Sequence, residues 1–132
     1  MSERFRYRVR VQYQDTDQGG VVHHAAYLRF MEQARVELLR ERGVNYRRFE
    51  EEVGKGIPVV EVRARYRRPA RFDDLLELET WVSTCNRAKL VFEYRVFRGE
   101  ELLTEASITC ACVLMAEQRI CSMDPLLRAA FP

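Results

Sequence analysis

The beginning of the chain alternates hydrophobic and polar side chains with a period of two. The odd positions of residues 5–13 are aromatic or valine, and the even positions of residues 4–12 are four arginines and a glutamine. This alternation predicts a β-strand that buries one face and exposes the other. The polar segment 14–20 that follows predicts a turn after the strand.

Hydrophobic residues then recur at the spacing of an α-helix. They share one face of a helix of about five turns, while charged side chains occupy most of the other positions. Gly43 follows as a C-terminal stop signal. A weaker helical pattern covers about Tyr46 to Val53, before Gly54. The apolar face of the long helix contains Tyr27, Phe30, Met31, Ala34 and Leu38.

The rest of the chain has the pattern of β-strands. Alternation covers residues 60–67, 76–82 and 90–96, and a fourth strand is predicted from Leu102 to about Met115. Gly99 and Glu100 predict a hairpin turn between the last two strands, and residues 68–74 form a longer connection. Consecutive strands with such short links must be largely antiparallel. The sequence therefore predicts an α+β fold with one principal helix against a five-stranded sheet.

Composition narrows the class of protein. The chain has 132 residues, with 22 basic and 20 acidic side chains and a net charge of +2. These values predict one folded domain over residues 1–132 and exclude polyelectrolytes such as histones and acidic tails. The longest uncharged run, residues 106–116, is shorter than the roughly 20 residues of a membrane helix, so no membrane span is expected. The N-terminus lacks the apolar segment of a secretory signal, and a cytoplasmic location is expected.

The four cysteines have no paired C-x-x-C spacing. We expect reduced thiols that pack as small hydrophobic side chains. An alternative is that Cys110 and Cys112 supply half of a zinc site, completed by Cys121 and a histidine. Structural zinc sites usually show two paired ligand clusters, so this alternative is disfavoured, and no metal is predicted.

Reactive side chains are concentrated in residues 15–24, between the first strand and the long helix. This segment contains Asp15, Asp17 and both histidines of the chain. One interpretation is a polar turn whose side chains bond local amides. However, no Ser, Thr, Asp or Asn stands immediately before the helix, so either His23 caps it or its first amides lack a side-chain partner. Free amides at the positive end of a helix suit an anion or a carbonyl oxygen that becomes negative during a reaction.

The same segment resembles the signature of hotdog-fold thioesterases. The likeness is to the 4-hydroxybenzoyl-CoA thioesterase family, and most of all to the Tol-Pal-associated acyl-CoA thioesterases within it. It extends over nearly the whole chain. It implies a hotdog fold, in which a five-stranded antiparallel sheet wraps around the long helix, and a homodimer or tetramer with active sites at the subunit interface. The motif includes Tyr13, Asp15, Thr16, Asp17, Gly19, Gly20, Val21, Val22, His24, Tyr27, Glu32, Ala34 and Arg35, and the later segments 58–60 and 66–74 also match.

The resemblance assigns roles within this motif. Asp17 matches the catalytic carboxylate, and His24 matches the histidine whose backbone amide polarises the thioester carbonyl. Val22, His23 and Tyr27 fall beside the acyl group, although Tyr27 also lies on the core face of the helix and His23 stands where many relatives have tyrosine. Asp15 is interpreted as structural, because its position suits hydrogen bonds to local amides.

Two groups of basic residues lie outside the motif. Arg87 and Lys89 fall where some relatives contact the phosphates of coenzyme A; the alternative is a solvated strand end. Arginines at positions 4, 6, 8, 10, 63, 65 and 67 suggest an RNA-binding face. Glu61, Glu77 and Glu79 are available to balance their charge, and no exposed aromatic residues are interleaved with them, so nucleic-acid binding is not predicted.

The sequence as a whole predicts an acyl-CoA thioesterase without a cofactor. A carboxylate and an oxyanion-binding helix end suffice for a thioester, because its leaving thiolate is good. Asp17 would act either as a nucleophile, through an anhydride, or as a base on water. The alternatives are a non-catalytic acyl-thioester binding protein of the same fold and an RNA-binding module.

Overall fold

The computed structural model describes residues 4–132. It contains three α-helices and eight strands in the described range, in the order β1, α1, α2, β2 to β8, α3. The helices are α1 (His24–Glu41), α2 (Tyr46–Val53) and α3 (Pro125–Ala130). The strands are β1 (Phe5–Arg10), β2 (Lys55–Gly56), β3 (Val59–Tyr66), β4 (Leu75–Cys85), β5 (Leu90–Arg98), β6 (Glu101–Cys110), β7 (Cys112–Leu114) and β8 (Arg119–Cys121).

Both predicted helices end where the sequence signals lie. After α1 the chain turns at Gly43, which has a left-handed backbone with φ of 85°. Asn45 caps α2 by accepting a hydrogen bond from the amide of Arg48, and Gly54 ends it with φ of 73°. Glycine adopts this conformation without the strain that a Cβ atom causes, so these positions stop the helices.

The main sheet has five strands in the order β1-β4-β5-β6-β3 and is antiparallel throughout. It has two ends. The motif end contains Arg10 opposite Leu75 and Tyr66 opposite Thr104. The turn end contains the β4–β5 connection and Val59, which is opposite Cys110. The predicted α+β class, with five antiparallel strands and one long helix, is confirmed.

The hydrophobic core lies between α1 and the inner face of this sheet. The Tyr94 hydroxyl crosses the core and donates to the carbonyl of Met31 on α1 over 3.1 Å. Burying each large side chain contributes about 1.5–3 kcal/mol, so this layer dominates the stability of the fold. The fully buried residues include Phe30, Met31, Leu38, Leu39, Leu76, Leu78, Leu90, Phe92, Tyr94, Leu103, Ile108 and Leu127.

The C-terminal third differs from the sequence prediction. The strand predicted from Leu102 to Met115 breaks at Ala111, whose amide donates to the carbonyl of Pro58. Beyond the break, β7 joins β2 and β8 in a second, three-stranded sheet. Helix α3 was not predicted either. Asp124 caps it and Pro125 opens it, a start signal that could have located this helix.

Strand β3 is exposed along all eight residues, including its apolar positions. It forms one edge of the sheet, and α1 covers the strands further in. Val60 is 59% exposed, and Val62 and Tyr66 are each 40% exposed. An edge strand of this length with exposed apolar side chains is a surface that other β-strands can pair with.

None of the helices in residues 4–132 has the length and hydrophobicity that a membrane crossing requires.

Candidate active site

Asp17 lies in a tight turn after β1, at the motif end of the sheet, and is exposed. Its Oδ1 atom accepts hydrogen bonds from the amides of Gly19, at 2.9 Å, and Val21, at 3.3 Å. A Cβ atom at Gly19 would lie 3.2 Å from this oxygen, so glycine suits the close approach. The Oδ2 atom has no hydrogen-bond partner within residues 4–132. One carboxylate oxygen is thus anchored, and the other is free for chemistry.

Asp15, two residues earlier, has a different environment. It is 1% exposed. Its Oδ2 accepts the amide of Gln12 at 2.8 Å, and its Oδ1 forms an ion pair with the guanidinium of Arg29. Its backbone carbonyl accepts the amide of His23 at 3.0 Å. The predicted bond to a local amide is present, whereas the pairing with Arg29 was not predicted. Asp15 ties the turn to α1.

The start of α1 has no side-chain cap. His23 has the extended backbone of an N-cap residue, but its side chain accepts no hydrogen bond from the helix. The amide of Ala26 donates to the His23 carbonyl at 3.1 Å. Within the described part of the chain, the amides of His24 and Ala25 have no acceptor. Of the two sequence alternatives, the structure shows amides without a side-chain partner, at the positive end of the helix dipole.

Backbone bonds fix the short segment that connects the Asp17 turn to the start of α1. Val21, which donates to Asp17, is bridged to Arg71, and the amide of Val22 donates to the carbonyl of Ala70 at 2.8 Å. His24 follows two residues after Val22. The same short segment thus contains an exposed carboxylate and free amides, the kinds of group that nucleophilic or base-assisted attack on a carbonyl requires.

Aromatic side chains flank the helix start. The Tyr66 ring lies 4.7 Å from the His24 ring and 5.3 Å from the Tyr27 ring, measured between centroids. Tyr27 is 3% exposed and burial raises its pKa, so it packs in the core as the alternative interpretation had it. Sequence reasoning did not place Tyr66 in the site, although Tyr66 lies in a segment that matches the family.

The other predicted contacts of the acyl group differ in accessibility. Val22 is buried beneath the turn. His23 is half-buried and lines an open groove together with Gln14 and Arg29. Around the helix start, the half-buried His23 and the partly exposed Tyr66 have surface that a bound molecule can touch.

Arg87 and Lys89 are exposed in the β4–β5 connection, at the turn end. Asn86 shapes this turn by accepting the amides of Ala88, at 2.9 Å, and Lys89, at 3.0 Å. The amide of Met123 donates to the Arg87 carbonyl at 2.9 Å. Strand β4 separates this turn from the motif end by roughly 33 Å, since its 11 residues rise about 3.3 Å each. One chain does not bring these residues to Asp17.

The two arginine groups do not form one basic face. Strands β1 and β3 are the opposite edges of the sheet. Arg4, just before β1, pairs with Glu79 at 2.6 Å, and Arg6 on β1 pairs with Glu77 at 2.9 Å. These are two of the three glutamates that the sequence offered as balancing charges. The arginines at positions 4 and 6 are thus balanced by carboxylates of β4.

Metal ligands are not clustered in residues 4–132: no three His, Cys, Asp or Glu side chains there are placed to hold a metal ion. Cys110 and Cys112 are buried, and Cys85 and Cys121 are half-buried against the core. None of the four is in a disulfide. The cysteines thus contribute to packing, as the sequence predicted.

Comparison with known proteins places the chain among thioesterases. A model of the thioesterase-like superfamily matches residues 11–131. An acyl-CoA thioesterase, YbgC, of Haemophilus influenzae is 39% identical over 127 residues, covering 96% of this chain and 93% of that protein. An acyl-CoA thioester hydrolase, also YbgC, of Shigella flexneri is 41% identical over 110 residues, covering 83% of this chain and 81% of that protein.

Solved structures show the same likeness. A hypothetical protein of Thermus thermophilus superimposes with a TM-score of 0.88 at 36% identity, covering 95% of both chains. A probable thioesterase of Bartonella henselae has a TM-score of 0.86 at 30% identity, covering 92% of this chain and 100% of that one.

Proposed function

Because the chain belongs to the thioesterase-like superfamily, we propose that it hydrolyses an acyl or aroyl coenzyme A thioester to the carboxylic acid and free coenzyme A. The observation that carries the proposal is the exposed Asp17 carboxylate beside the uncapped start of α1. The names of the YbgC relatives support the choice of acyl-CoA as the substrate.

In this proposal the amide of His24 binds the thioester carbonyl oxygen. Negative charge develops on that oxygen as the carbonyl is attacked, and an amide at the positive end of a helix stabilises it. Because the peptide amide does this, the imidazole of His24 is free to pack against Tyr66.

Asp17 supplies the attacking group through its free Oδ2 atom. In one route, Oδ2 attacks the carbonyl carbon, the thiolate leaves, and water hydrolyses the resulting anhydride. In the other, Oδ2 takes a proton from water, whose oxygen attacks the carbonyl directly. Both routes consume one water and release one acid and one thiol. In both, the bonds from Gly19 and Val21 to Oδ1 keep the carboxylate aimed.

The proposed acyl site lies beside the start of α1. The accessible surface there comes from His23, His24 and Tyr66, while Val22 and Tyr27 are buried. The aromatic ring of Tyr66 offers an apolar wall against which an acyl or aryl group can pack.

The proposed assembly is a homodimer formed through β3. Two such dimers together would form a tetramer. Pairing two β3 edges in antiparallel fashion covers the exposed apolar side chains of Val60 and Val62 and satisfies the open backbone edge. A two-fold arrangement of this kind places the turn end of one copy beside the motif end of the other. The partner's Arg87 and Lys89 then reach the site that contains Asp17.

The location we propose is the cytoplasm. A reducing compartment keeps the four cysteines as thiols. Coenzyme A esters in the cytoplasm reach the enzyme without crossing a membrane.

The direct test is the release of free thiol from a panel of acyl and aroyl coenzyme A esters. Turnover above the rate without enzyme supports the proposal. Saturable binding of the same esters without thiol release would instead identify a non-catalytic acyl-thioester binding protein of the same fold.

A further inference from the structure

Two cysteines at the turn end lie close together and take no part in the proposed thioester chemistry. Cys112 on β7 is directly opposite Cys121 on β8, and their Sγ atoms are 3.6 Å apart. Opposite residues of antiparallel strands have Cα atoms about 4.5 or 5.5 Å apart. This separation lies within the range of about 4.4–6.8 Å that disulfides span. A bond between the two sulfurs therefore needs side-chain movement only.

The two thiols differ in access. Strand β8 is the outer strand of the three-stranded sheet, and its residues Arg119 and Ile120 are exposed. Cys121 is half-buried on this strand, whereas Cys112 is 0% exposed. A reagent from solution thus meets Cys121 first, and Cys112 lies behind it within reach of the same sulfur.

The surroundings of Cys112 favour the same order. Burial, as the larger cause, and the neighbouring Cys121 thiol together raise the pKa of the Cys112 thiol to about 11. The ammonium of Lys55 opposes this, but it is held by Asp124 at 2.8 Å. Cys112 is therefore protonated at neutral pH and suits the second step of an exchange, in which proximity replaces intrinsic reactivity.

We propose that Cys112 and Cys121 form a dithiol site that low-molecular-weight disulfides, such as glutathione disulfide, oxidise to an intramolecular disulfide. The Cys121 sulfur attacks the external disulfide, forms a mixed disulfide and releases one thiol. The Cys112 sulfur then attacks the Cys121 sulfur, closes the protein disulfide and releases the second thiol. The two protein thiols lose two electrons and two protons, and the external disulfide gains them.

The experiment incubates the reduced full chain with glutathione buffers of increasing oxidised fraction, then alkylates the free thiols and measures intact mass and peptide masses. We expect the chain to lose two hydrogen atoms and two alkylation sites, with peptides containing Cys112 and Cys121 joined. Full alkylation of both residues in the most oxidised buffer would overturn the proposal. So would a reaction that stops at the mixed disulfide or that joins two chains.

Cys85 is the internal control, because it is half-buried like Cys121 but its thiol donates to the carbonyl of Leu127 over 3.7 Å. No second sulfur faces it in the described residues, so it should gain at most a glutathione adduct. Cys112→Ser should trap the mixed disulfide at Cys121. Absence of that adduct, in a variant with the circular dichroism of the wild type, would contradict the assigned order of attack. The wild-type measurement tests the site without any variant.

Discussion

The two ends of the main sheet hold different parts of the proposed chemistry. The motif end has the acidic side chains of Asp15 and Asp17 and the uncapped start of α1. The turn end has Arg87 and Lys89, exposed on a turn without a carboxylate partner in the described residues. The length of β4 separates them. In the proposed dimer, the exposed β3 edge joins the motif end of one copy to the turn end of the other.

A similar difference separates the two carboxylates of the motif end. Asp15 is buried, and both of its oxygens have partners, whereas Asp17 is exposed with one free oxygen. A fully bonded buried carboxylate stabilises the structure, while an exposed one with a free lone pair can react. The comparison teaches that the motif places a buried, fully bonded aspartate two residues before an exposed one with a free oxygen.

The largest effect is expected from Asp17→Asn at the motif end. The amide oxygen can still accept the bonds from Gly19 and Val21, so the turn should persist, but the side chain loses its power as a nucleophile or base. We expect kcat to fall by about 10²–10⁴-fold, with a much smaller change in KM. Steady-state kinetics on the best substrate of the panel, with thermal melts of both proteins, would measure this. Near-normal turnover in the folded variant would remove Asp17 from the mechanism.

The second prediction tests whether β3 forms the interface that brings the motif end of one copy beside the turn end of the other. Val62→Lys places a charge among the exposed apolar side chains of β3. A two-fold interface would bury this lysine of both copies. We expect the dimer Kd to rise on the order of 10³-fold, since each unpaired buried polar group costs about 1–3 kcal/mol. Light scattering across a dilution series would detect the monomer, and activity should fall with dissociation.

Ile120→Lys is the matched control, because Ile120 is 72% exposed on β8, away from the β3 edge. It should leave the oligomer intact. A wild-type protein that is a fully active monomer at micromolar concentration would contradict the shared site.

The third prediction concerns Asp15→Asn. The neutral side chain retains an acceptor for the Gln12 amide but loses the charge that pairs with Arg29. We expect the free energy of unfolding to fall by about 1–2 kcal/mol. The loss is no larger because Arg29 is partly exposed, and solvent weakens its ion pair with Asp15. Turnover per folded molecule should change far less. Urea titrations at one fixed protein concentration would measure the loss, and abolished turnover in a folded protein would reverse the roles assigned to the two aspartates.

The smallest effect is expected from replacing both Arg87 and Lys89 by Ala. Exposed ion pairs with phosphates are weak, so KM should rise by roughly fivefold or less per contact, with little change in kcat. Added salt should raise the KM of the wild type and leave that of the variant nearly unchanged. A wild-type KM that does not respond to salt would assign both residues to the solvated surface.

Mixing this variant with Asp17→Asn sharpens the comparison. A mixed dimer contains one site with the intact Asp17 of one chain and the intact Arg87 and Lys89 of the other. Mixing and re-equilibration should therefore add a component of activity with the wild-type KM to the raised-KM activity of the remaining Arg87 and Lys89 variant homodimer. Activity that retains the raised KM would show that the basic turn does not act across the dimer.

Much of the fold could be predicted from the sequence. The periods of α1 and of the strands, the stop at Gly43 and the hairpin at Gly99 are local signals, and the structure confirms each of them. The resemblance to hotdog thioesterases is confirmed by the superfamily match over residues 11–131. The break at Ala111 was missed because the run of residues 106–116 has no charged residue, glycine or proline to mark it.

The site could be predicted only in part. Asp17 and His24 were selected from one continuous segment, and their catalytic roles stay predictions. Arg29 and Tyr66 were missed because their contacts with the motif depend on packing between elements that are distant along the chain.

The sequence by itself determined the two N-terminal helices, the order of the main-sheet strands and the family, and it predicted the segment for the chemistry, because these depend on the spacing of neighbouring residues. Only the tertiary structure decided that Asp15 is buried while Asp17 is free, that β3 is an open edge, and that Arg87 lies at the far end of the sheet. It alone brought Cys112 within 3.6 Å of Cys121. These properties depend on which segments distant along the chain pack together, and the spacing of neighbouring residues does not determine those contacts.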